Sequence, residues 1–240
     1  MYEVKHAIIM AAGMGNRMQP LTLETPKPLI KVNGNRMIDT SIRALHANGI
    51  HEIYVVVGYR KEKFSCLEKE YPGVVLIENP YYDRCNNISS LYMARELIGD
   101  SIILDGDQMI YNEKVVSKAF KRSEYNCVWT EQQTKEWLLT AENGIVTRCS
   151  RTGGAKGWQL YSISRWTAED GKRLRKHLET EFAEKKNTQI YWDDIALFCY
   201  PEQYRLGIHK MEKGDVVEID NLEELAALDQ EYEKYVGRKA

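Results

Sequence analysis

Ala7-Ile8-Ile9-Met10-Ala11-Ala12-Gly13-Met14-Gly15-Asn16-Arg17-Met18-Gln19-Pro20 is the run that decides the architecture of this 240-residue chain. Its first five residues read as a short apolar β-strand, and the glycines follow directly. Glycine lets backbone N–H groups approach phosphate oxygens closely, so the turn beyond the strand forms an anion-binding concavity. Two common phosphate loops do not fit. A third glycine and the carboxylate of a dinucleotide ribose site are missing, and no Gly-Lys-Ser/Thr follows. The chain continues instead through Arg17 and Pro20-Leu21-Thr22 to Thr25-Pro26-Lys27-Pro28-Leu29-Ile30. Prolines on both sides of Lys27 restrict the backbone and fix its ammonium beside the glycine loop, which is what a triphosphate site needs.

Outward from that run, β-rich apolar stretches at 7–11, 53–57, 74–77 and 101–104 alternate with helical spacing over 37–48, 61–70 and 88–97. Gly49 is a helix stop. This alternation predicts an α/β fold with a mostly parallel sheet wrapped by helices. After Asp107 it fades into short strands at 127–130, 137–140 and 145–148, a turn-rich loop over 151–157 and a long amphipathic helix over 168–185. A strand over 215–220 and a helix over 222–235 close the chain. No linker separates the halves, so a single domain over 1–240 is expected, with its second half built onto the same sheet.

Composition narrows the function classes. The formal net charge is −2, and no basic helix carries interleaved aromatics, so nucleic acid is not an expected partner. The five cysteines are scattered with no C-x-x-C pair, which predicts reduced thiols and neither zinc nor a disulfide framework. The uncharged stretch over 7–14 is too short to span a bilayer and lacks signal-peptide flanks. Cytoplasm is therefore the expected location, with no membrane partner.

The glycine loop, Arg17 and Pro26-Lys27-Pro28 together resemble the signature of the sugar-phosphate nucleotidyltransferase superfamily. The match is close over residues 7–32, and the order of strands and helices extends it over most of the chain. The resemblance implies a Rossmann-like nucleotidyltransferase sheet flanked by helices, with a nucleotide-binding half over 1–110. An elaborated half over 111–240 would bind the acceptor and complete a Mg²⁺ site. It further implies that Ala11, Ala12, Gly13 and Gly15 lie along the nucleotide, with Arg17 and Lys27 as catalytic cations on its phosphates. Asn16 stands where many relatives have threonine, and the loop begins Ala-Ala rather than Gly-Gly, so the loop leaves the base open.

Leu104-Asp105-Gly106-Asp107 ends a predicted strand, where ligands collect in open α/β sheets. Mg²⁺ takes hard oxygen ligands, commonly one or two carboxylates plus substrate phosphates. Two residues apart in extended chain, Asp105 and Asp107 would face one way; Asp-Gly-Asp also fits a plain turn. The resemblance points to Asp107 as metal ligand, with Asp105 behind it. Glu218-Ile219-Asp220 repeats the spacing, and in relatives an acidic pair there closes the metal site from the opposite side. Asp220 could instead cap the helix that follows.

Asn86-Asn87-Ile88-Ser89-Ser90-Leu91-Tyr92, Glu136-Trp137 and Tyr191-Trp192-Asp193 look like the bacterial CTP:phosphocholine cytidylyltransferases, over nearly the whole chain. That branch implies CTP as donor and phosphocholine as acceptor. A quaternary ammonium cannot donate hydrogen bonds and is held by aromatic faces and a nearby carboxylate, so Trp137, Tyr191 and Trp192 would form the cage and Asp193 supply charge. Each of these aromatics also suits core packing. Asn86, Asn87 and Ser89 could meet a pyrimidine edge or form the N-cap region of the next helix. The expected reaction is Mg²⁺-dependent, in-line transfer of CMP to phosphocholine, giving CDP-choline and pyrophosphate. The alternatives are a sugar 1-phosphate, whose enzymes typically carry a Glu-Lys-Pro absent here, 2-aminoethylphosphonate, or a non-catalytic nucleotide-sensing subunit.

Overall fold

The structure is a computed structural model that describes residues 1–237. Apart from two-residue ladders, its strands are β1 (His6–Ala11), β2 (Ile53–Val57), β3 (Val74–Glu78), β4 (Ser101–Asp105), β5 (Gln108–Ile110), β6 (Glu124–Thr130), β7 (Leu138–Glu142), β8 (Ile145–Ser150), β9 (Gly157–Trp166), β10 (Gly207–Met211) and β11 (Val216–Glu218). The helices are α1 (Met37–Ala47), α2 (Ser65–Glu70), α3 (Ile88–Met93), α4 (Ala168–Glu179) and α5 (Leu222–Leu228). Nine strands form one sheet in the order β6-β10-β8-β7-β9-β4-β1-β2-β3.

The end of the sheet built from β4, β1, β2 and β3 is parallel, with Ile9 level with both Val55 and Leu104. Both faces of β1 are covered, which is why it reads as a continuous apolar run. Ile9, Val55 and Leu104 pack with Ile42, Leu45 and Phe64 on one face. Ile8, Val56 and Ile103 pack with Leu91, Leu174 and Trp166 on the other.

β9 runs antiparallel to β4 and joins the two halves, Ile163 lying opposite Leu104. It is the longest strand of the molecule and was not among the strands predicted from sequence. The later strands are short and largely antiparallel. β6 pairs with both β9 and β10, β10 with β8, β8 with β7 and β7 with β9, so these five close into a ring.

Helices predicted as single pieces are divided. The 222–235 helix stops at Asp229, whose extended backbone and side chain start a separate 3₁₀ segment by accepting the Glu231 N–H. The 168–185 helix is capped by Thr167, which accepts the Asp170 N–H, and ends in a π-turn over Thr180–Glu184. Among the described residues, no helix is long and apolar enough to cross a membrane.

Candidate functional site

The carboxyl ends of β1 and β4 open into a cavity of about 370 Å³ lined by the glycine loop, Lys27, Asn86, Asn87, Asp105, Asp107 and Asp220. This is the position at which open α/β sheets gather ligands. Gly15 has φ +63°, and a Cβ there would lie 2.9 Å from Thr22 Cγ2 and 3.1 Å from Lys27 Cβ. Only glycine serves at that point. Gly106 donates its N–H to Met10 O at 2.9 Å, and a Cβ on it would come within 3.1 Å of that oxygen and of Pro28 Cγ. The bare backbone lets the Asp105–Asp107 turn lie flat on β1 beside the Pro-Lys-Pro segment.

Lys27 is only 8% exposed. Its Nζ donates to Asp107 Oδ2 at 2.6 Å and Asp220 Oδ1 at 2.9 Å, and Arg17 Nη2 lies 2.8 Å from the same Asp220 oxygen. Burial pulls the Lys27 ammonium down, but Asp107 and Asp220 outweigh it and hold the pKa above the ordinary 10.5. Burial pushes Asp220 up, and Lys27 and Arg17 overcome it to hold the carboxylate below its ordinary range. Asp105 and Glu218 are pushed well above theirs, first by burial and then by Asp107.

Glu218 and Asp220 face the cavity region while Ile219 between them is fully buried, as their spacing predicted. Pairing of β11 with β5 sets Glu218 opposite Gln108, next to Asp107 in the chain. Asp107, Glu218 and Asp220 each offer an oxygen within 4.8 Å of the other two. Asp107 Oδ1 is buried without a hydrogen-bond partner. Three carboxyl groups offering hard oxygen donors, with one Asp107 oxygen left without a partner, suit a small divalent cation.

Asn86 and Asn87 line the same cavity. Asn87 Oδ1 accepts the Trp192 backbone N–H at 3.0 Å, tying this part of the cavity wall to the 191–194 turn. Ser89 is corrected by the structure. It is 1% exposed, donates to Asn86 O at 2.8 Å and accepts from Asn79 Nδ2 at 3.0 Å, so it supports the turn from beneath. The cavity-lining serine is Ser90, one residue on along α3. One helical step of about 100° separates those two directions.

A second cavity of about 200 Å³ adjoins the first, sharing Arg17, Asn87, Asp105, Tyr191 and Asp220. Glu136, Trp137, Ser162, Asp193 and Glu218 line it as well. Trp137 and Tyr191 meet edge to face, with ring centroids 5.7 Å apart at 85°. Trp192 is not part of this wall. It is fully buried, stacked on Tyr125 at 6.2 Å and edge-on to Trp166, because its large apolar ring fills the core under the turn. Asp193 does line the cavity, and burial pushes its carboxyl up to about 7. Asp193 Oδ1 and the neighbouring Tyr125 hydroxyl are both without a completed hydrogen bond. Ser162 and Leu160 were missed because they belong to β9, where they share one face two residues apart. The β-rich run Trp158, Leu160, Tyr161, Ile163 and Trp166 was the available signal.

The MobA-like NTP transferase domain matches residues 7–178. The chain is 40% identical over 233 residues to the 2-aminoethylphosphonate cytidylyltransferase of Lancefieldella rimae, covering 96% of this chain and 94% of that one. It is 30% identical over 224 residues to the choline-phosphate cytidylyltransferase of Streptococcus pneumoniae, covering 93% and 96%. A solved structure of the CTP:phosphocholine cytidylyltransferase from Streptococcus pneumoniae superposes with a TM-score of 0.88 at 30% identity, covering 95% of this chain and 98% of that one. With the glycine loop, Lys27 and the carboxylates gathered at the carboxyl ends of β1 and β4, and with these matches over nearly its full length, the chain belongs to the MobA-like NTP transferase family, among its cytidylyltransferases.

Proposed function

We propose that the protein transfers CMP from CTP to 2-aminoethylphosphonate, releasing pyrophosphate. The observation that carries this choice of acceptor is the second cavity, which has two aromatic faces and the buried carboxyl of Asp193, with the Tyr125 hydroxyl beside it. A primary ammonium has three donors and needs oxygen acceptors once it leaves water; a trimethylammonium has none and needs faces. With Trp192 in the core, Trp137 and Tyr191 are the faces that remain, while Asp193, Glu136 and Asp105 line the same space. The likeness to the Lancefieldella rimae enzyme supports the same reading. Phosphocholine is the second reading, favoured by the edge-to-face Trp137–Tyr191 pair, since a desolvated cation–π contact contributes up to about 2 kcal/mol.

In this reaction a phosphonate oxygen attacks the α-phosphorus in line. The new O–P bond forms as the bond to the bridging α–β oxygen breaks, and pyrophosphate leaves with that electron pair. A phosphate monoester loses its second proton near pH 6, and a phosphonate behaves similarly, so the nucleophile is anionic at neutral pH without a side-chain base. What the protein supplies is position and charge. Two unit negative charges about 4 Å apart repel by roughly 4 kcal/mol at an effective dielectric near 20. Lys27, kept protonated by its two carboxylates, and Arg17 bring positive charge to the cavity where the phosphates meet. Asp107, Glu218 and Asp220 would hold Mg²⁺, which supplies further neutralisation and a common template for both anions. Asn86, Asn87 and Ser90 flank the base end, and backbone from Ala11 to Gly15 lines the nucleotide.

The test is pyrophosphate release by the purified protein with each of four NTPs against 2-aminoethylphosphonate, phosphocholine and sugar 1-phosphates. The expected result is turnover with CTP and a kcat/KM for 2-aminoethylphosphonate at least about tenfold above phosphocholine, the equivalent of one hydrogen bond to a charged group. Equal or better use of phosphocholine or of a sugar 1-phosphate would overturn the acceptor choice.

A further inference from the structure

Arg151, just beyond β8, lines neither cavity, yet its guanidinium hydrogen-bonds to the turn that carries Tyr191 and lies 5.8 Å from the Trp137 ring centroid. Its Nη2 and Nε donate to Asp194 Oδ1 at 2.6 and 3.0 Å. The other Asp194 oxygen accepts the Tyr191 N–H at 3.0 Å, so the carboxylate also pins the backbone that carries the Tyr191 ring. On its flat side the guanidinium lies 3.8 Å above the Phe198 ring centroid. Phe198 meets Trp137 edge to face at 5.5 Å, and Trp137 meets Tyr191 in the same way. Asp194 is buried while about half of the Arg151 side chain is exposed, so the latch closes from the solvent side.

We infer that Arg151 is a positioning residue for the acceptor, fastening the Tyr191 turn through Asp194 and setting the Trp137 ring through Phe198. The chemistry requires arginine in particular. Its planar fork binds a carboxylate edge-on while its face stacks on an aromatic ring, and an ammonium does only the first. A buried carboxylate stripped of its cation is left uncompensated, which ties the turn's stability to the same contact. The inference rests on Trp137 and Tyr191 being the acceptor wall, and it deepens that reading by naming what holds the wall in place.

The test compares Arg151→Met and Arg151→Lys with the wild-type enzyme, using whichever acceptor the wild type turns over best. A wrong choice of acceptor then shows in the wild-type panel, and a wrong latch shows only in the variant ratios. Arg151→Met is expected to raise the acceptor KM by about tenfold or more, since small misplacement of a bound reactant costs up to about 100-fold. The CTP KM should rise less than the acceptor KM, because Arg151, Asp194 and Phe198 line neither cavity and Tyr191 and Asn87 are the points where the held turn meets the nucleotide cavity. Arg151→Lys is expected to restore the thermal midpoint by pairing with Asp194 but to leave the acceptor KM raised, a separation that a merely structural arginine would not produce. Should Arg151→Met fail to fold, Arg151→Lys alone decides. A wild-type acceptor KM in Arg151→Lys, or a parallel rise in both KM values, overturns the inference.

Discussion

Replacing Asp193 with asparagine should make the protein more stable and a poorer enzyme, for one physical reason. Burial pushes this carboxyl from the ordinary 3.8 to about 7, ahead of the opposing contribution from Tyr125. At 1.36 kcal/mol per tenfold, that difference corresponds to at most about 4 kcal/mol against the charged form in the folded state. Because the folded pKa lies above the unfolded one, the cost is absent below about pH 4, grows through the window between, and is complete above about pH 7. Asparagine never pays it, although its amide brings donors that also need partners, so a gain of about 1–3 kcal/mol at pH 8 is expected, vanishing near pH 4. The same substitution deletes a charge-assisted hydrogen bond to the acceptor ammonium, about 1.5–3 kcal/mol, or roughly 10- to 100-fold in acceptor kcat/KM. Urea unfolding at pH 4, 6 and 8 reads the first effect, and steady-state kinetics over pH 6–8 the second. In the wild type, acceptor kcat/KM should climb through pH 7 more steeply than in Asp193→Asn, in which only the phosphonate titrates. An Asp193→Asn protein that is less stable than wild type at pH 8, or that keeps full acceptor kcat/KM, refutes the reasoning.

Three other outcomes follow from the geometry. Lys27→Ala removes the cation that bridges Asp107 and Asp220 and should lower kcat by about 100-fold or more with the fold retained; near-wild-type turnover would remove Lys27 from the chemistry. Trp137→Ala should raise the acceptor KM by about 3- to 30-fold with little effect on CTP, the range of one cation–π contact, whereas Trp192→Ala should cost about 3–5 kcal/mol of stability as a core cavity. Kinetics and melting curves on the pair separate wall from core. Asp107→Ala should abolish Mg²⁺-dependent turnover, and a Mg²⁺ titration that matches wild type would move the metal elsewhere.

Some features of this fold were legible because they depend on the chain alone. β1 reads as a strand because both of its faces are buried, Ile8 in one cluster and Ile9 in the other, leaving no polar position to confuse the pattern. Prolines around Lys27 and the two-residue spacing of Glu218 and Asp220 constrain direction locally, and the structure brings these groups together. Ser89 and Trp192 were misread because their directions are tertiary. Ser89 turns toward Asn79 on a helix whose angular phase the sequence does not state, and Trp192 is drawn under its turn by the Tyr125 and Trp166 rings. β9 was missed since its serines and the buried Arg165 dilute the apolar pattern; that arginine is satisfied by Ser117 O, Asn126 Oδ1 and Val115 O, partners distant in sequence. Arg151 gave no signal at all, as its contacts with Asp194, Phe198 and Trp137 exist only in the folded chain.

The most direct test of the central claim is a competition. The purified protein is given CTP, Mg²⁺ and equal concentrations of 2-aminoethylphosphonate and phosphocholine, and the products are followed by ³¹P NMR. The account predicts loss of CTP, equimolar pyrophosphate and a cytidylyl phosphonate as the dominant new diester signal. CDP-choline as the dominant product, or CTP left intact, would contradict it.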